Sequence, residues 1–186
     1  MAAEDRQRWD ERHRATEESP VPAPPDALRG REHVLPPSGR ALDVACGRGA
    51  VAVWLARRGL QVDAVDVSPV ALKAAAALAQ EHGVAERVWF VEHDLDEGLP
   101  DSCRGPYDLI VCQRFRDPDR YPQLAAALAP GGLLVITVLS EVGAGPGRFR
   151  ARPGELRAAF GDLEVLVHHE SDGEASLVAR RPSTAS

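Results

Sequence analysis

Short apolar runs alternate along this chain with longer amphipathic stretches. The first run, Ala41 to Ala45, is apolar except for Asp43 and predicts a buried strand. Gly47 and Gly49 follow as a turn. The next stretch carries Val51, Trp54 and Leu55 at helical spacing, and Gly59 stands where a helix-ending glycine belongs. LQVDAV predicts a second strand ending near Asp66. Ser68 and Pro69 then start a helix, by a side-chain cap and a proline whose missing N–H costs nothing at the first helical position, and the helix stops near Gly83. Arg87 to Val91 is a third strand with Asp94 just beyond it, and Asp108 to Cys112 a fourth, nearly all apolar as a strand covered on both faces should be. Asp117 and Pro118 repeat the cap-and-proline start. A helix is predicted from there to about Ala129, with a fifth strand from Leu133 to Leu139.

This alternation of strand and helix implies a parallel sheet with helices on both faces. The C-terminal part departs from it. After a glycine-rich loop and a short helix from Pro153 to Phe160, two strands, Leu163 to His168 and Ala175 to Ala179, are separated only by a turn around Asp172 and Gly173. So short a connection permits a hairpin and excludes a parallel crossover, so one strand of the sheet is reversed. At the other end, Glu4 to Glu18 predicts a charged helix with Trp9, His13 and Thr16 on one side, too thinly apolar to stand alone. Ser19 to Asp26 holds four prolines in eight residues and reads as a semi-rigid connector. The expected organisation is a helix and linker over 1–26, a main domain over 27–181 and a tail over 182–186.

Composition narrows the classes. With 44% hydrophobic and 27% charged residues, the chain reads as globular rather than disordered. A formal charge of −6 opposes non-specific nucleic-acid binding. Tyr121 to Ser140 is uncharged for 20 residues, but Pro130, Gly131 and Gly132 are expected to cut it into a helix and a strand, so no membrane span is expected. Cys46, Cys103 and Cys112 have no metal-like spacing, and the N-terminus is charged from Glu4 onward, which together point to a reducing, cytoplasmic setting and no metal.

The glycine turn carries the chemistry. A strand, a tight glycine turn and a helix aim free backbone N–H groups at a ligand. Gly47, Gly49 and Ala52 match the G-x-G-x-x-A spacing of a dinucleotide site, and Asp66 lies where an acid would accept hydrogen bonds from a ribose. NAD and S-adenosylmethionine both contain such a ribose, so Asp66 does not separate them. Asp43 weighs toward the second, because a carboxylate beside the turn repels a pyrophosphate and suits a ligand carrying an ammonium and a sulfonium. A structural acid capping the turn's N–H groups is the alternative.

LDVACGRG with Asp43, VDAVD ending at Asp66, Asp94 after the third strand, YDLIVC at the fourth and LAPGGLLVITVL at the fifth together resemble the class I S-adenosylmethionine-dependent methyltransferases. The resemblance spans about Arg40 to Arg181. It implies a Rossmann-like, doubly wound α/β fold with a mostly parallel seven-stranded sheet and a reversed C-terminal strand. WDERH near the N-terminus, the His168-His169 dipeptide after PGELRAAF and the small size look most like the tellurite-resistance and thiol-methyltransferase-like branch. Carried over position by position, the resemblance places Asp43, Ala45, Gly47 and Gly49 around the methionine portion of S-adenosylmethionine. It places Asp66 at the ribose, Asp94 and Leu95 at the adenine and Gln113 nearest the methyl group, with Cys46 and Val67 as further cofactor-binding residues. Ala45 stands where that family usually has glycine.

Methyl transfer from a sulfonium needs in-line placement and exclusion of water more than it needs a base, so no catalytic residue is assigned. A thiol or chalcogen acceptor ionises readily, whereas a hydroxyl would call for a nearby histidine or carboxylate. Trp9 and His13 are candidate lid or acceptor residues if the N-terminal segment folds over the site, and Arg114 is a candidate beyond the fourth strand. His168 and His169 are adjacent in a strand and face opposite ways, which disfavours metal binding by the pair. The expected function is methyl transfer to a small-molecule acceptor by a monomer or weak homodimer that needs neither nucleic acid nor membrane. An NAD-dependent oxidoreductase and a non-catalytic S-adenosylmethionine binder are the alternatives.

Overall fold

The computed structural model describes residues 3–16 and 18–183. Of the expected tail, residues 184–186 lie outside the described residues. Seven strands form one sheet. They are β1 (Arg40–Val44), β2 (Gln61–Asp66), β3 (Val88–Glu92), β4 (Tyr107–Gln113), β5 (Leu128–Leu139), β6 (Glu164–Ser171) and β7 (Glu174–Arg180), in the order β3-β2-β1-β4-β5-β7-β6. β7 runs antiparallel to both β5 and β6, as the short turn at Asp172 and Gly173 requires. The chain has two compact units, Met1–Pro24 with Pro37–Cys103 and Pro25–Pro36 with Arg104–Ser186.

In the first unit, β1, β2 and β3 pair in parallel, and helices α1 (Ala3–Arg14), α2 (Ala50–Arg57) and α3 (Pro69–Glu81) accompany them. α3 starts as expected: Ser68 Oγ accepts the Ala71 N–H at 3.1 Å and Pro69 is the first helical residue. α2 turns a different face inward from the one expected. Ala52, Val53, Leu55 and Ala56 are buried, whereas Val51 and Trp54 are only half-buried, and Trp54 lies under the Arg58 guanidinium at 4.8 Å. A large indole at the surface finds a cation there, and small residues make the close contact with the sheet. α1 ends at Arg14, so Thr16 lies beyond the helix.

In the second unit, β5 pairs β4 in parallel and β7 antiparallel, and Leu28, in a single 3-10 turn packed on β5 and β7, is fully buried. Two expectations fail here. Asp117 and Pro118 form a turn, with Asp117 Oδ1 accepting the Asp119 N–H at 3.0 Å, and helix α4 is confined to Tyr121–Ala127. Pro130, Gly131 and Gly132 do not interrupt the strand. β5 runs through them as a bulge, because Leu128 pairs with Tyr107 and Leu133 with Leu109, so that Ala129 to Gly132 pass opposite Asp108 alone. At such a position the N–H that proline lacks is not needed by the ladder. The short helix α5 (Glu155–Ala159) precedes β6.

Candidate active site

The glycine turn takes its shape from three left-handed residues in a five-residue stretch: Ala45 at φ 56°, Gly47 at 53° and Gly49 at 82°. Gly49 is demanded by packing as well, since a Cβ there would stand 2.7 Å from the Cβ of Ala75 on α3. Gly47 has room, its nearest neighbour being His13 Cε1 at 3.8 Å from the position of an added Cβ. Cys46 N–H donates to Val65 O at 2.9 Å, so the turn is stitched to the end of β2.

Asp66 completes that attachment. Its Oδ2 accepts the Gly47 N–H at 2.8 Å and its Oδ1 accepts the Ser68 N–H at 2.9 Å. Each carboxylate oxygen retains a second lone pair for a ligand hydroxyl. Asp43, on β1, is 3% exposed, and its Oδ2 has no hydrogen-bond partner. Burial, reinforced by Asp66 and opposed by a hydrogen bond from the Ala52 N–H, raises its pKa to about 8. Burial and then the nearby Asp43 and Asp66 also push the Cys46 thiol up, which keeps it protonated and unreactive.

α1 lies over this turn and is held at several points. Ser68 Oγ donates to Asp10 Oδ1 at 2.5 Å in a buried bond, Arg6 pairs with Glu92 at 2.5 Å, and Arg48 Nη1 donates to Glu18 O at 2.7 Å beyond the helix. Trp9 and His13 stack with ring centroids 6.1 Å apart, and His13 faces the turn. Burial lowers the His13 pKa, with Asp66 opposing and Arg48 and Arg12 adding to the effect, so the ring is neutral at pH 7 and can accept a proton. At the end of β3, Asp94 Oδ1 accepts the Asp96 N–H at 3.0 Å and leads into a buried Leu95, while Val67 is half-buried beside Asp66.

Asp43, Ala45, Cys46, Gly47, Gly49, Asp66 and Val67 are thus brought together with His13, and Asp94 and Leu95 follow the neighbouring strand. In the second unit, Gln113 ends β4. Arg114 follows at φ 56° and donates its N–H to Thr137 O at 2.7 Å. Sequence reasoning missed two features. Asp10 gives no local signal, because its partner lies 58 residues away. In the second unit, Arg116 holds Glu155 through two bonds of 2.8 and 2.6 Å, and Tyr121 Oη donates to the same carboxylate at 3.4 Å. Arg116 and Glu155 were legible only as separate charges in separate elements. Among the described residues no cluster of His, Cys, Asp or Glu is arranged to hold a metal, and no helix is long and apolar enough to cross a membrane.

The residues fit S-adenosylmethionine. An orphaned, buried carboxylate oxygen beside the glycine turn calls for a cation, and Asp66 keeps lone pairs for a ribose and a negative charge that a pyrophosphate would oppose. Comparison with known proteins agrees. Residues 41–132 match a family model described as a methyltransferase domain. The chain is 39% identical over 121 residues to a ribosomal protein L11 methyltransferase from Pelotomaculum thermopropionicum, covering 63% of this chain and 38% of that protein. It is 36% identical over 109 residues to a ubiquinone biosynthesis O-methyltransferase from Caulobacter, covering 55% and 41% respectively. The chain thus spans about two fifths of the length of these relatives. Its fold is that of TehB from Haemophilus influenzae, with a TM-score of 0.71 over 84% of this chain and 61% of TehB at 19% identity. The glycine turn between β1 and α2, the acid ending β2, the seven-stranded sheet with one reversed strand and the family match converge: this chain carries a class I S-adenosylmethionine-dependent methyltransferase domain.

Proposed function

We propose that the chain transfers the methyl group of S-adenosylmethionine to a small-molecule acceptor, with a thiol or chalcogen as the preferred nucleophile. The observation that carries the cofactor half is the unpartnered Oδ2 of Asp43 beside the glycine turn. In this reading Asp43, Ala45, Gly47 and Gly49 hold the methionine portion, Asp66 the ribose, and Asp94 and Leu95 the adenine, with Cys46 and Val67 adjoining the cofactor. Gln113 stands nearest the methyl group, and Trp9, His13 and Arg114 serve the acceptor side. When bound, the cofactor supplies an already activated sulfonium, which leaves the protein to orient the partners and exclude water. α1, pinned by Asp10 and Arg6, is suited to the second task. A neutral His13 is available to an acceptor that must lose a proton, and a thiolate needs no such help.

A net charge of −6 supports a small acceptor over RNA, and the quinone-pathway O-methyltransferase among the relatives is named for small-molecule chemistry. We take the protein to act in the cytoplasm as a monomer or weak homodimer, in keeping with three cysteines that form no disulfide with one another. The test is accumulation of S-adenosylhomocysteine with a panel of thiols, selenite and phenols, run beside a peptide substrate of ribosomal type. Turnover of the peptide alone would replace the small-molecule reading. Calorimetric binding of NAD in preference to S-adenosylmethionine would remove the cofactor assignment.

A further inference from the structure

Among the described residues, Asp43 is the one carboxylate of the glycine-turn region that is both sealed from solvent and half unpartnered. The Ala52 N–H at the start of α2 bonds the carboxylate, and Oδ2 meets no donor. The groups facing it offer no positive charge. β2 presents Asp66, a second negative group, and the turn presents the Cys46 thiol, which stays protonated. On α1, Asp10 is bonded by Ser68 and His13 feels the charge of Asp66, while Arg48 of the turn donates Nη1 to Glu18 O and keeps a buried, unpartnered Nε. An ionised carboxylate buried without a cation costs several kcal/mol, more than its single hydrogen bond returns, so the proton stays on. A cationic ligand reverses the balance by supplying the missing charge at the site itself.

We propose that Asp43 is a proton-coupled counter-charge for the cofactor: it is neutral in the cofactor-free protein, ionises as S-adenosylmethionine binds, and so ties binding to the release of one proton to solvent. The proton leaves the Asp43 carboxyl for water or buffer, no other bond changes, and the carboxylate pairs with the ligand's positive charge. This rests on the placement of Asp43 in the cofactor site. The pKa of about 8 supports it, since at neutral pH the group still carries its proton before the ligand arrives.

The experiment is calorimetric titration of the full chain with S-adenosylmethionine from about pH 6 to 7, below the range in which the ligand's own α-ammonium loses its proton, in two buffers whose ionisation enthalpies differ, phosphate and imidazole. Wild type should release close to one proton, and its affinity should rise about tenfold per pH unit across that range. Asp43→Asn should bind with no proton release and a flat pH profile over the same range. Binding by wild type without proton release, or release that survives Asp43→Asn, overturns the inference while leaving the cofactor assignment in place. Absence of S-adenosylmethionine binding by wild type at every pH overturns both. If Asp43→Asn binds too weakly to titrate, the wild-type proton count decides.

Discussion

Asp10, on the N-terminal helix, accepts a hydrogen bond from Ser68 Oγ at 2.5 Å, and the same hydroxyl caps α3 by accepting the Ala71 N–H at 3.1 Å. One serine therefore both starts a helix and anchors another. Asp10→Ala leaves the buried Ser68 O–H without an acceptor, at a cost of about 1 to 3 kcal/mol. The expected result is lower thermal stability, with faster amide exchange in α1 than in β1 or β2. Uniform exchange across these elements would show that α1 is not held by this bond.

Asp66→Ala should weaken S-adenosylmethionine binding by roughly 1.5 to 3 kcal/mol, because charge-assisted hydrogen bonds to a ribose are lost. It also strips the Gly47 and Ser68 N–H groups of their acceptor, so stability should fall in the same variant. Calorimetry and thermal melts read the two effects separately. An unchanged affinity would remove Asp66 from the site.

Asp43 gives stability a pH dependence opposite to that of a salt-bridged acid. Its folded pKa, about 8, lies above the unfolded value of 3.8. Between those values the native state holds a proton that the unfolded state has lost, so stability falls as pH rises across that window and is flat above it. Denaturant melts from about pH 5 to 9 should show this decline in wild type and lose it in Asp43→Asn, which should be the more stable protein near pH 8. Parallel profiles for the two proteins would contradict the assignment.

Ala45 stands at φ 56°, where a Cβ is strained by about 1 to 2 kcal/mol. Ala45→Gly relieves that strain but adds freedom to the unfolded chain, about 0.4 to 1 kcal/mol. A net gain near 0.5 kcal/mol is expected in a chemical melt. A clear loss would mean that the methyl group packs usefully.

In the second unit, Glu155→Ala breaks the two-bond contact with Arg116 and removes the acceptor for Tyr121 Oη. Both charged partners are only modestly exposed, 18% and 15%, so the loss should exceed that of a surface pair, at roughly 2 to 3 kcal/mol. A melt within 0.5 kcal/mol of wild type would place this contact among ordinary surface pairs.

How far the chain could be read in advance depended on the range of the signal. Ser68 with Pro69, Gly59 after α2 and the Asp172-Gly173 turn are local, and each performs its expected role. The reversed strand followed from the length of its connection. Pro130 misled because its breaking power was weighed without knowing that β4 shifts register opposite it. Trp54 misled because hydrophobicity was counted without its cation, Arg58. Within the site, Asp43 and Asp66 were visible by position, but the orphaned oxygen of one and the double acceptance of the other needed the third dimension. Asp10 had no sequence signal at all.

The double acceptance by Asp66 has a thermodynamic consequence. A glycine-rich segment left to itself samples many shapes, and a ligand that had to select one would lose affinity to that ordering. Here the folding of β2 already fixes the segment, through Gly47 on one oxygen and Ser68 on the other. The entropy of ordering is therefore lost during folding and not at the encounter with the ligand, so binding should proceed with little rearrangement of the turn's backbone.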